Sequence, residues 1–171
     1  MDRLKISGEI TVGIYELDGT LVDLQRSKNL VLTAGLSAMA AALMWSAMID
    51  QNANQGLPFN PITLAPIYGA VGSASVAATS TDTQLGAELA RSICGAASYN
   101  GATFSLLFNM GITVGTWTIW EGGVFASATP ESPPDPDSSG ILLNHSILVS
   151  AVTKAPTQTA VFQASFGLWP G

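Results

Sequence analysis

The sequence predicts an α+β, β-rich fold: an antiparallel sheet or β-sandwich with one main packed helix. Three observations predict it. Apolar and polar residues alternate over residues 4–16 and again over 159–168, the period of a half-buried strand. The 20 residues from Leu30 to Ile49 carry no charge and include an Ala- and Met-rich stretch suited to a buried helix. Threonine, valine, isoleucine and aromatic residues crowd the second half, as strands favour.

The elements follow in chain order. Leu4, Ile6, Gly8, Ile10, Val12 and Ile14 fall on one face of the first strand, and Lys5, Ser7, Glu9, Thr11, Gly13 and Tyr15 on the other. Asp18-Gly19 supplies the positive φ of a tight hairpin turn, and Thr20 to Leu24 return as a second strand. Asn29 to Leu32 lead into Thr33, the expected N-cap of a helix over Ala34–Met48. One side of that helix carries Leu36, Met39, Ala40, Leu43, Met44 and Ala47. The other carries Ser37, Ala41, Trp45 and Met48, so it is expected to be packed on more than one side. Residues 51–66 hold three prolines and read as a surface excursion. Ile67 to Gly72 is a short strand, Ser73 to Ser80 a loop of small residues, and Asp82 to Leu89 one or two helical turns. Arg91 to Ala97 reads as extended, then Thr103 to Met110 and Thr113 to Trp120 as strands. Residues 127–140, with four prolines, form a second excursion. Ile141–Val152 and Thr159–Leu168 are the last strands. No sustained repeat is present, and residues 1–171 read as one domain.

Charged residues make up 11% of the chain against 47% hydrophobic, so the surface must be built mainly from Ser, Thr, Asn, Gly and Ala. Such a surface associates readily, and partner subunits, including copies of this chain, are expected to cover much of it. The net charge of −6 and the scatter of six basic residues leave no basic patch with interleaved aromatics, which argues against nucleic acid as a partner. A single cysteine, Cys94, excludes a disulfide framework and reads as a small buried residue. The start, Met1-Asp2-Arg3-Leu4-Lys5, passes straight into polar alternation, so no secretory leader is expected there. Leu30–Ile49 is long enough to span a bilayer, but its small residues and the Asp50-Gln51-Asn52 flank favour a buried helix over a membrane span.

Catalytic constellations find little support. A Ser/His/Asp triad would need His145, the only histidine, and no Gly-x-Ser-x-Gly elbow presents a serine. His145 reads as a strand residue between Asn144 and Ser146. Glu9, Glu16, Asp18, Asp23, Asp82, Glu88 and Glu121 could in principle furnish paired carboxylates, but none lies in a glycosidase-like motif. Val71-Gly72-Ser73-Ala74-Ser75 lacks the spacing of a phosphate loop, and Asp135 and Asp137 lack the rest of a calcium loop. No catalytic residue, cofactor or metal ligand is therefore expected. Arg91 and Glu121 each interrupt an apolar stretch. If both are inside, they are expected to pair, because a lone buried charge costs several kcal/mol; two unrelated surface charges is the alternative. Of the tryptophans, Trp45 and Trp169 sit near element ends. With Met44 and Met48 they are the candidate subunit interface.

The order of these signals resembles a known family. Lys28 to Leu36 opens a helix, and Ile67 to Ser73 is a strand ending in Val-Gly-Ser. Asp82-Thr83-Gln84-Leu85 runs through Glu88 to Arg91. A Phe-rich strand follows, then Ile119-Trp120-Glu121-Gly122-Gly123-Val124-Phe125, then Gly140 to Leu143. This pattern is similar to small tail proteins of tailed bacteriophages and resembles the amino-terminal attachment domain of tail-collar fibre proteins. The resemblance implies a non-enzymatic virion part, made in the host cytoplasm and built into the tail as a tip, baseplate or fibre-attachment adaptor rather than a whole fibre. Its partners would be other tail proteins and copies of itself. A head or neck decoration or head-fibre protein is the first alternative. A module binding host-surface glycan is the second.

Overall fold

The computed structural model describes residues 4–39, 66–111, 115–126 and 140–170; for residues 4, 5 and 168–170 it describes the backbone alone. Among the described residues eight strands appear: β1 (Leu4–Tyr15), β2 (Leu21–Val31), β3 (Ile67–Gly72), β4 (Glu88–Asn100), β5 (Thr103–Asn109), β6 (Trp117–Ala126), β7 (Ile141–Lys154) and β8 (Thr159–Pro170). They close into one antiparallel barrel in the order β1-β2-β7-β6-β3-β4-β5-β8. The closing ladder joins the first strand to the last, from Leu4 opposite Pro170 to Tyr15 opposite Thr159.

This corrects the expected sheet or sandwich with a main packed helix. Alternation records that each strand has a buried and a wet face. It does not record whether the buried face meets a second sheet or the inside of its own ring. Here the inward rows fill the ring. Ile10, Val12 and Ile14 of β1 meet Phe108 of β5, Val124 of β6, Val152 of β7 and Phe162 and Phe166 of β8, all almost wholly buried. Phe108 stacks on Phe162 at 5.4 Å and Phe104 on Phe166 at 4.8 Å. Gly69 is required at that crossing, because a Cβ there would fall 2.4 Å from the Phe108 ring.

A helix, α1, opens at residue 33 and is described to residue 39; the remainder of the expected Ala34–Met48 helix, with Met44, Trp45 and Met48, lies outside the described residues. Within the described part the packing face differs from the expected one. Leu36 is exposed, while Gly35 and Ala38 are buried. A Cβ on Gly35 would lie 2.2 Å from the Leu143 carbonyl, so the missing side chain lets α1 lie directly on the backbone of β7. Residues 51–65 and 127–139, the bulk of both predicted excursions, also lie outside the described residues, as does the Trp169 side chain.

The outer faces of β3, β6 and β7 are not left to solvent. Tyr68 and Ala70 of β3, Phe125 of β6 and Leu142 of β7 form a second apolar cluster with Leu32 and Leu85. Leu85 belongs to the 73–87 connection between β3 and β4, which runs as bends and turns rather than the predicted helical turns. The amides of Gly86 and Ala87 point at a side chain of β6 instead of at the carbonyls four residues back that helical turns would use. Thr33 at the start of α1 donates its N–H to the Ser80 carbonyl at 3.1 Å, which ties helix and connection together. Among the described residues, no helix is long and apolar enough to cross a membrane.

Candidate functional site

Two irregularities in the ladders shape the polar centre of this outer face. Between Ile119 and Glu121 the β6–β7 register shifts, and Glu121 comes opposite Ile147. Between Val124 and Phe125 it shifts again, so that Val124 faces Asn144 but Phe125 faces Leu142. The Asn144 side-chain oxygen accepts from the Val124 N–H at 2.8 Å inside this bulge. As a result Leu142 and His145, three residues apart, both serve the covered outer face.

Glu121 is fully buried. Its Oε1 accepts the N–H of Ala74 at 3.1 Å and of Ala87 at 2.8 Å, and its Oε2 accepts that of Gly86 at 2.9 Å. The same Oε2 lies 2.9 Å from His145 Nε2. The other ring nitrogen, Nδ1, lies 2.7 Å from Asp82 Oδ2. Asp82 in turn accepts the Thr79 N–H at 2.9 Å and the Thr79 hydroxyl. A neutral imidazole has one N–H, so satisfying a carboxylate at each nitrogen requires the doubly protonated ring. The arrangement is a histidinium between two carboxylates, one from the barrel wall and one from the connection over it.

The electrostatics agree with that assignment. Burial alone would push the His145 pKa down, but hydrogen bonds to Glu121 and Asp82 and their charges outweigh it and raise it above the ordinary value. For Glu121 burial pushes up, and the hydrogen bonds from His145, Gly86, Ala87 and Ala74 together bring it below the ordinary carboxylate value. Asp82 is likewise lowered: burial works against it, and Thr79 and His145 prevail.

Room for Glu121 comes from glycine. A Cβ on Gly72 would sit 2.3 Å from Glu121 Oε1 and 2.6 Å from the Ala87 carbonyl. Beside this site Arg91 pairs with Glu88, its NH2 group 2.8 Å from Oε2 and its Nε 2.9 Å from Oε1. Its guanidinium also lies 4.0 Å above the centre of the Phe125 ring.

The structure thus buries both residues of the expected Arg91–Glu121 pair's neighbourhood but distributes them differently. Among the ion pairs of the described residues, Arg91 goes to Glu88 and Glu121 to His145. His145, read from the sequence as an ordinary strand residue, is the centre of the site. The signal that could have found it is that the chain's only histidine must compete for two acidic residues, Asp82 and Glu121, each isolated in a weakly charged stretch. Cys94 is half-buried against the barrel core and directs its thiol to the Ala96 carbonyl at 3.2 Å. Trp117 lies under the ammonium of the fully buried Lys154, at 4.8 Å.

Fold and site together define a closed antiparallel barrel with an overlying connection clamped by buried charges. No family model matches the chain, and neither a curated protein nor a solved structure matches it.

Proposed function

We propose that this chain is a non-enzymatic structural component of a bacteriophage virion, an adaptor at the tail tip, baseplate or fibre attachment point. One observation carries the reading: the two segments that bear the resemblance, 81–91 and 119–125, are fastened together. Glu121 accepts the N–H groups of Gly86 and Ala87 and shares His145 with Asp82, which holds the 73–87 connection to the barrel, while Glu88 and Arg91 pair with each other within β4. The motif then acts as a fastener that fixes a surface shape, which is what an assembly part needs from it. The outer face of β1, β5 and β8 adds support. Thr11, Ser105, Gln163 and Ser165 supply hydroxyls and amides with few charges, a surface that other subunits can cover at little desolvation cost.

A glycan-binding module is the second reading, and a specific hollow favours it. About 610 Å³ of space at one rim is bordered by Ser7, Glu9, Lys28 and Thr103, which combine hydroxyls and both signs of charge. Glycan-array binding by the isolated protein would support that reading. Immunogold electron microscopy of particles from cells making this protein tests the first. Gold at the tail tip or baseplate is expected. Gold on the head moves the same barrel to decoration or head fibres. An absence of label on both intact and dissociated particles overturns the virion reading.

A further inference from the structure

In an asparagine–glycine pair the side-chain amide and the next backbone nitrogen can meet with no second side chain in the way. Of the seven asparagines in the chain only Asn100 is followed by glycine. The structure sets this pair at the tip of the β4–β5 hairpin. Asn100 lies opposite Thr103, so the turn consists of Gly101 and Ala102 alone. Gly101 takes a φ of 59°, the left-handed value that such a turn asks of its first residue. The flanking pair exchanges the ladder bonds, which leaves the Gly101 N–H outside the ladder. Asn100, Gly101 and Ala102 are all exposed, and a Cβ on Gly101 would meet nothing within 4 Å.

Comparable positions elsewhere are engaged. At the β1–β2 tip, Gly19 donates its N–H to the Glu16 carbonyl at 3.0 Å, and Asp18 Oδ1 accepts the Thr20 N–H at 2.8 Å. Asn109 Oδ1 accepts the Gly111 N–H at 2.8 Å. Asn144 is wholly buried and accepts the Val124 N–H at 2.8 Å. Among the described residues nothing holds the Asn100 amide in the same way.

We propose that Asn100 is a self-modification site, at which the backbone nitrogen of Gly101 attacks the side-chain amide and converts Asn100 to aspartate and isoaspartate. The Gly101 nitrogen gives up its proton and bonds to Asn100 Cγ. The Cγ–NH2 bond breaks, and the leaving group departs with a proton as ammonia. Water then opens the resulting five-membered imide. Cleavage at Cγ gives aspartate, and cleavage at the main-chain carbonyl gives isoaspartate, whose main chain runs through Cγ. One amide and one water become one carboxylate and one ammonia, with no change of oxidation state. Asn100 is extended in the ladder, so ring closure draws on fraying of the Asn100–Thr103 pair, the last of its hairpin. Residues 92–110 carry no charge, and the carboxylate would be the first one on this hairpin. The iso product also lengthens the main chain at a turn that has room for two residues. The change is one-way, and the proposal does not depend on the virion reading.

Ageing the full folded chain in mildly alkaline buffer tests it, with a synthetic peptide of residues 97–104 in the same buffer as the clock. Chymotrypsin, cutting after Tyr99 and Phe104, frees the segment for mass spectrometry, which reads the exchange of amide for carboxylate. Methyl transfer by a protein-isoaspartate methyltransferase counts the iso product. Conversion at Asn100 is expected to run roughly tenfold or more faster than at Asn109 or Asn144 of the same chain. Asn100→Gln would have to close a larger ring, and should remove the isoaspartate signal while keeping the melting temperature of the parent, because the position is exposed. An Asn100 that stays intact in the folded chain after the peptide has converted overturns the proposal. So does an isoaspartate signal that Asn100→Gln leaves undiminished, or equal conversion at Asn109.

Discussion

His145 holds two carboxylates with one ring, and its raised pKa draws on both of them. Removing the negative charge of Glu121 should therefore act twice. Glu121→Gln is expected to cost about 3 kcal/mol in urea denaturation, because a buried cation loses its deeper partner. It should also let the His145 pKa fall, readable as a lower midpoint in an NMR titration of the ring. An unchanged midpoint would mean that the histidinium does not draw on Glu121. Arg91 poses a related case. Its side chain is buried against Glu88 and Phe125, so Arg91→Ala should cost roughly 3–5 kcal/mol. A loss below about 1 kcal/mol in the same denaturation experiment would match a surface pair instead. At this scale the sequence singled out Arg91 and Glu121, which stand out in a weakly charged chain, but neither Asp82 nor His145. It did not announce who pairs with whom. That choice depends on the register shifts at Val71/Gly72 and Ile119/Glu121, which leave no mark in a pattern of apolar and polar residues.

The 73–87 connection is an element without regular structure, and its order comes from what it is fastened to. Ala74, Gly86 and Ala87 give their N–H groups to one barrel carboxylate, and Asp82 gives a carboxylate to one barrel histidine. Its hold therefore depends on pH in a definite direction. The His145 contribution is complete below the ordinary histidine value of 6.5 and is lost as pH rises through its raised value. The Asp82 and Glu121 contributions are complete above their ordinary values of 3.8 and 4.5, and are lost as pH falls through their depressed values. The fastening is strongest between 4.5 and 6.5. Urea denaturation of the parent should show stability declining into the alkaline range, and His145→Gln should flatten that decline. Equal slopes in parent and variant would rule the ring out as its cause. Packing leaves equally little tolerance. Gly72→Ala would push a methyl group into Glu121 and the Ala87 carbonyl, and should lower the melting temperature with a loss of roughly 1–3 kcal/mol. The predicted helical turns at Asp82–Leu89 miss all this because Thr and Asp at a turn look the same whether they cap a helix or a bend.

Strand positions were largely legible, since β1, β3, β5, β7 and β8 begin within a residue of where alternation or β-branched content starts them. Ring closure was not. β8 pairs along its length with β1 on one side and with β5 on the other, partners separated from it by much of the chain, and a strand's own residues do not encode so distant a neighbour. That double pairing makes β8 indispensable. A chain ending at residue 158 would expose two long edges and half of the Phe108–Phe162 and Phe104–Phe166 stacks, and should lose cooperative thermal unfolding altogether. A retained sharp transition would show that β1 and β5 can close without it. Leu4 lies opposite Pro170 in the closing ladder, so the start of β1 and the end of β8 are neighbours in space. The covalent opening could then be moved. Joining residue 170 to residue 4 through a short linker and opening the chain at the exposed Gly19 turn would keep every ladder, and the molecule would recognise itself in a different order of synthesis.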